Sequence, residues 1–178
     1  MSKIERRTSE TVVTVALNPG TGVANVATGV PFLDHMMTAL ARYSGIDIEI
    51  AASGDLKHHT IEDVAIAMGE AWTRMLPAAC ARYGVSTVPM DEALVQVCID
   101  AGGRPYYEGP LPSSLYDHWM RSFSDNSRMT VHIRVLRGTD RHHIVEAAFK
   151  ALGFALRQAL IETEAVFSTK GSVKLDVR

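Results

Sequence analysis

Two stretches decide the fold: His58-His59-Thr60-Ile61-Glu62 and, 84 residues further on, His142-His143-Ile144-Val145-Glu146. Upstream of each lies a second matching pair, Phe32-Leu33-Asp34-His35-Met36-Met37 and Leu115-Tyr116-Asp117-His118-Trp119-Met120, offset by 83 residues between His35 and His118. A single gap reconciles the two offsets. Met68-Gly69 over Leu152-Gly153 and Ala71 over Ala155 extend the register. Self-similarity at a fixed period marks a duplicated structural unit. The expectation is therefore one domain over residues 1–178, built of two pseudo-repeated halves, about 1–88 and 89–178.

Hydrophobic periodicity gives each half strands and two helices. Val13, Val15 and Leu17 alternate with polar or small residues, as in a half-buried strand, and Pro19-Gly20-Thr21-Gly22 reads as a turn. Pro31 can open a helix that Gly45 ends, with a strand from 46 to 50 behind it. Thr60 with Asp63 reads as a capping box opening a long apolar helix through Ala65, Met68, Trp72 and Leu76. In the second half, strands are expected over 93–99, 104–108 and 129–136, with helices over 115–123 and 142–161. The fold class is α+β: two similar halves, each a four-stranded sheet with helices, and the helices packed between the sheets.

Composition narrows the function. With 178 residues, 47% hydrophobic and 21% charged, the chain can bury a real core. A net charge of -2 and a pI near 6.4 supply no field for holding nucleic acid. No apolar run is long enough to cross a bilayer and the amino terminus is polar, so the expected location is the cytoplasm and no membrane partner is expected. Cys80 and Cys98 read as buried free thiols.

Six of the seven histidines occupy equivalent places in the repeat: His35, His58 and His59, then His118, His142 and His143. Three-residue spacing puts His59 with Glu62, and His143 with Glu146, on one helical face. The adjacent histidine of each pair is turned by about 100°, so one pair suits two different ions. Six imidazoles and two carboxylates divide into two sites of three His and one Glu. Without thiolate, these donors suit Mn, Fe, Zn, Co or Ni, and leave coordination positions open on a six-coordinate ion. The spacings of HExxH, HxxEH and di-iron bundles are absent.

At this point the chain closely resembles the imidazoleglycerol-phosphate dehydratase family. The resemblance rests on residues 7–11 (RTSET), 28–36 (TGVPFLDHM), 58–63 (HHTIED), 89–94 (PMDEAL), 103–106 (GRPY), 142–147 (HHIVEA), 149–151 (FKA) and 168–171 (STKG), in that order. It implies a hydro-lyase of histidine biosynthesis with two Mn2+ ions per active site, acting on imidazole glycerol phosphate. It also implies a 24-subunit homo-oligomer built from trimers, with sites between subunits. The carbon-bound proton beside a hydroxyl is not acidic; metals on the imidazole nitrogens would stabilise an imidazolate that expels that hydroxyl, after which a carboxylate removes the proton. The family motif puts Glu10 in that role beside Glu62 and Glu146. It places Arg82, Arg104, Lys150, Ser168 and Lys170 around the phosphate, where Arg forks grip oxygens. Asp34, Asp55, Asp63, Asp91 and Glu92 are expected to orient the histidines.

The chain also departs from the family. The loop before His58 is shorter, and Ala39 and Tyr43 replace a Gln and a His that help hold phosphate. Asp140 stands for Asn, Phe154 for Arg and Phe167 for Pro. Two alternatives follow: a related dimetal enzyme with a different imidazole or phosphate substrate, or a non-catalytic metal-binding shell. Glu10 and the cations speak against the shell, which has no use for them.

Overall fold

The computed structural model describes residues 1–165. Twelve elements follow in two identical runs of β-β-β-α-β-α. The first run is β1 (Ser2–Arg7), β2 (Thr11–Pro19), β3 (Ala24–Ala27), α1 (Pro31–Ser44), β4 (Ile46–Gly54) and α2 (Lys57–Met75). The second is β5 (Tyr83–Met90), β6 (Ala93–Asp100), β7 (Tyr106–Glu108), α3 (Ser114–Ser127), β8 (Thr130–Arg137) and α4 (Arg141–Ala159). Each run makes one four-stranded mixed sheet, ordered β1-β2-β4-β3 and β5-β6-β8-β7. In each, the outermost strand pairs parallel to its neighbour through a helical crossover, β3 with β4 and β7 with β8.

Strand alternation sends one side of each sheet inward. Val13, Val15 and Leu17 are fully buried on β2, and Val95, Val97 and Ile99 do the same on β6. Helices cover those faces: α2 lies on β1 and β2, α1 on β3 and β4, α4 on β5 and β6, and α3 on β7 and β8. The halves then meet helix to helix, α2 against α3 and α1 against α4. At the centre Trp119 stacks on Phe123 with ring centroids 5.2 Å apart, while Phe149 and Trp72 pack around them.

The repeated glycines explain how closely the halves meet. A Cβ at Gly69 would fall 2.8 Å from the Ser127 nitrogen and 2.9 Å from the Phe123 carbonyl on α3. At Gly153 it would fall 2.8 Å from the Tyr43 Cβ and 3.0 Å from the Ser44 nitrogen on α1. Lacking a side chain, each lets one helix backbone rest on another.

Three strands carry no clear sequence signal: β1, β3 and β5. All are sheet edges. β1 has Ile4 as its one large buried residue among charges, β3 is four residues long, and β5 carries Pro89. The expected capping box is not formed. α2 begins at Lys57 with no side-chain cap; Thr60 bonds back to the Leu56 carbonyl, and Asp63 turns to Arg6 and Thr11. The two cysteines are free, but both are half-buried rather than buried. Cys98 sits on the outward alternation of β6.

Candidate metal centre and active site

The histidines of the repeat converge in two clusters, and each cluster is made by both halves. His35 on α1 meets His142 and Glu146 on α4; His118 on α3 meets His58 and Glu62 on α2. Within each trio the ligand atoms lie within 4.8 Å of one another. The reason is the helix pairing, because α1 rests on α4 and α3 on α2. In the first cluster both His35 Nε2 and His142 Nε2 stand 3.1 Å from Glu146 Oε2. In the second, His118 Nε2 lies 3.2 Å from Glu62 Oε1 and His58 Nε2 3.4 Å from Glu62 Oε2.

The pairing on each helix differs from the three-residue expectation. The carboxylate joins the first histidine of the pair, at four residues, and not the second. Positions four apart are rotated by about 40° and those three apart by about 60° the other way, so Glu stands between the two rings. The neighbouring rings are nearly perpendicular, 83° for His58 and His59 and 88° for His142 and His143. Each trio therefore holds two imidazoles and one carboxylate from this chain, with His59 and His143 directed elsewhere.

Those two histidines are held by acids. His59 Nδ1 is 2.8 Å from Asp55 Oδ1, and His143 Nδ1 is 2.7 Å from Glu92 Oε2. Each bond raises the imidazole pKa and fixes the ring by Nδ1. Glu92 also accepts the backbone N–H groups of Asp140 at 2.8 Å and Thr139 at 3.2 Å. The Asp140 amide and the His143 ring together pull its carboxyl down to about 2. Asp140 caps α4 by accepting the His142 N–H at 2.7 Å. Asp91 Oδ2 stands 3.5 Å from His143 Nε2. Asp34 and Asp63, expected beside histidines, serve the backbone and side chain of Thr28, and Thr11 with Arg6, respectively.

Glu10 occupies the turn between β1 and β2, half exposed, with Oε2 3.6 Å from His59 Nδ1. Its carbonyl accepts the Asp55 N–H at 3.1 Å, so Glu10 and the acid that grips His59 are tied together. Arg82 makes a two-pronged bond to Asp100, at 2.6 and 2.8 Å, and Arg104 reaches the same carboxylate at 3.9 Å while 79% exposed. Lys150 puts its ammonium 2.9 Å from Glu146 Oε1 and 3.1 Å from Met90 Sδ. Burial pushes the Glu146 carboxyl up, and the Lys150 and His35 bonds outweigh it, leaving the pKa lowered. Phe167, Ser168 and Lys170 lie outside the described residues.

Ala39 is buried, and Tyr43 packs edge-on against Phe154 with centroids 5.0 Å apart. Two of the positions singled out as departures thus touch each other in one aromatic contact. Residue types alone did not reveal the Thr8, Thr11 and Asp63 linkage behind Glu10; their only signal was a pair of threonines flanking an acid.

The donor sets fit divalent cations. Three potential ligand atoms converge in each trio, an arrangement that either ring protons or a cation among them would satisfy. His118 Nε2 is buried and, although 3.2 Å from Glu62 Oε1, is not aligned for a hydrogen bond with any described residue, as a ligand nitrogen would be.

The profile of the imidazoleglycerol-phosphate dehydratase family matches residues 28–156. A relative of that name from Clostridium botulinum strain Hall is 41% identical over 192 residues, covering 97% of this chain and 98% of its own length. Another, from Chlorobaculum tepidum, is 40% identical over 94% of this chain and 95% of its own. The crystal structure of the Pyrococcus furiosus enzyme superposes with a TM-score of 0.87 at 41% identity, covering 96% of this chain and all of that one. The Staphylococcus aureus enzyme gives 0.83 at 33% identity, covering 91% and 99%. With the family profile matching residues 28–156 and the relatives covering nearly the full length, this chain belongs to the imidazoleglycerol-phosphate dehydratase family of hydro-lyases.

Proposed function

We propose that this chain converts imidazole glycerol phosphate to imidazole acetol phosphate and water in histidine biosynthesis, in the cytoplasm, using two Mn2+ or similar divalent ions per active site. The carrying observation is the pair of trios, His35-His142-Glu146 and His58-His118-Glu62, alike in donors and each assembled from both halves. When bound, the ions supply Lewis acidity to the nitrogens of the substrate imidazole.

The remaining work belongs to this chain's side chains. Asp55 and Glu92 occupy Nδ1 of His59 and His143, which leaves Nε2 as the ligand atom. Glu10, beside His59 and open to solvent, accepts the carbon-bound proton. Arg82, Arg104, Lys150, Ser168 and Lys170 receive the phosphate. Of the three ammonium hydrogens of Lys150, Glu146 and Met90 take two, and one remains for a phosphate oxygen.

A single chain does not bring these parts together. The Arg82 N–H bonds the Ala159 carbonyl at the far end of α4, whereas His142 opens that helix. At 1.5 Å per residue the two ends stand roughly 25 Å apart, more than a small phosphate ester spans. A site using both ends requires a second copy, and His59 and His143 are free to complete trios of neighbouring copies. The reading is a homo-oligomer of the 24-subunit kind built from trimers. No helix among the described residues is long and apolar enough to cross a membrane.

The test is turnover of imidazole glycerol phosphate by the purified chain with added Mn2+, followed by appearance of the ketone product. Metal-dependent product supports the reading. No product with any divalent metal contradicts it, and turnover of a different imidazole phosphate instead would favour the related dimetal enzyme.

A further inference from the structure

We propose that Thr8, Thr11 and Asp63 form a one-way hydrogen-bond relay that holds the Glu10 turn on α2, so that Thr8 and Thr11 are positioning residues for the proton-accepting carboxylate. The proposal rests on the reading of Glu10 as the group that takes the carbon-bound proton. Asp63 is buried in the first half of α2, four residues beyond His59. Its Oδ1 accepts from Arg6 Nε at 2.9 Å, and its Oδ2 accepts a short bond from Thr11 Oγ1. Thr11 Oγ1 lies 3.2 Å from Thr8 Oγ1. Thr8 Oγ1 in turn faces the backbone N–H of Glu10 at 3.1 Å and that of Thr11 at 3.0 Å.

The proton directions follow from the donor inventory. An ionised carboxylate only accepts, so the Thr11 hydroxyl must donate to Asp63. The Thr11 oxygen is then an acceptor, and the one hydroxyl in reach is that of Thr8, which must donate to it. That leaves both Thr8 lone pairs for the N–H groups of Glu10 and Thr11. Both hydroxyls thus donate in one sense, toward Asp63, and the Thr8 oxygen accepts both backbone N–H groups. A second tie comes from the other side, where the Glu10 carbonyl accepts the N–H of Asp55, the residue that holds His59. The Glu10 backbone is thus fixed to both ends of the segment that carries His58 and His59, with Asp63 buried as the anchor. A carboxylate must sit within a few tenths of an ångström of its productive place to take a proton efficiently, and here the turn, not packing around its exposed side chain, sets that place.

The experiment measures kcat and KM for imidazole glycerol phosphate with the metal-loaded full chain, alongside metal content and thermal stability. The variants are Thr11→Val, Thr11→Ser and Thr8→Ala. Thr11→Val and Thr8→Ala should lower kcat at least about tenfold while KM and metal per chain stay within about twofold. Thr11→Ser keeps the hydroxyl and should remain within about threefold of wild type. If Thr11→Val fails to fold, Thr8→Ala in the exposed turn carries the test alone. The relay is overturned if both variants keep kcat within about threefold, if the loss appears in KM or metal content instead, or if Thr11→Ser is as slow as Thr11→Val. Wild-type protein without turnover, or Glu10→Gln within about tenfold of wild type, would remove the underlying reading and the relay together. Failure of the threonine variants alone would leave that reading standing.

Discussion

The two histidine clusters have the same donors and different surroundings. In the trio of His35, His142 and Glu146 the carboxylate is 7% exposed and its second oxygen is bonded to Lys150. In the trio of His58, His118 and Glu62 the carboxylate is 35% exposed, and the residue four positions on, where Lys150 would repeat, is Ile66. The duplication kept the two imidazoles and the carboxylate of each trio and let the charge balance diverge. A carboxylate buried beside apolar helices has lost hydration that a neighbouring cation must offset, whereas a half-exposed one keeps part of its contact with water. The same divergence separates the histidine clamps. His59 is gripped by Asp55 from its own helix approach, while His143 is gripped by Glu92 from the hairpin joining β5 and β6.

The largest expected break is in the first half. Glu10→Gln should preserve folding and metal content yet lower turnover by about 10²- to 10⁴-fold, because the amide keeps the shape and cannot accept the proton. Steady-state kinetics beside metal analysis check it, and activity within about tenfold of wild type would remove Glu10 from the chemistry.

Next come the helix crossings. Gly69→Ala and Gly153→Ala each insert a methyl between two helix backbones and should cost about 1–3 kcal/mol in denaturant unfolding. Gly69 should cost more, because its three nearest neighbours all lie within 2.9 Å and two are backbone, whereas at Gly153 the Leu40 carbonyl stands at 3.2 Å. Equal costs would show that the α1–α4 contact is as tight as α2–α3.

A smaller difference should separate the two acids in protein stripped with chelator. Glu146→Gln leaves the Lys150 ammonium without its carboxylate and should lower stability by about 1–2 kcal/mol, less than a fully buried pair would lose, since Lys150 keeps some contact with water. Glu62→Gln, whose carboxylate has no Lys or Arg partner among the described residues, should stay within about 0.5 kcal/mol. The melting temperatures of both variants decide it, and a Glu62 effect as large as that of Glu146 would mean Lys150 does not distinguish the clusters.

The order of elements was legible in the sequence because the repeat was. Val13, Val15 and Leu17 announce a central strand, and Pro31 and Gly45 bracket α1, whose Gly45 adopts the left-handed conformation that ends the helix. Of the edge strands only β7 was legible; β1, β3 and β5 were not, since half their surroundings are solvent and β1 sets Ile4 among Lys3, Glu5 and Arg6. That histidines of the repeat would gather with carboxylates was also readable, and His35, His142, His58 and His118 do so around Glu146 and Glu62. Which histidine joins which carboxylate was not. That depends on a helix rotation of a few tens of degrees and on α1 lying against α4, a contact between residues more than a hundred positions apart. The role of Asp63 was hidden for a related reason: the spacing that resembles a local cap serves instead a bond to Thr11, 52 residues away.

The central claim is that each trio is an incomplete metal site, finished by a histidine of another copy. The direct measurement is metal per chain and particle mass on one sample, by elemental analysis and native mass spectrometry, with chelator and after Mn2+ is restored. The account predicts about two ions per chain in a large closed assembly, dissociation toward trimers when metal is removed, and reassembly on its return. A monomer under both conditions, or an assembly of unchanged size that takes up no metal, would contradict it.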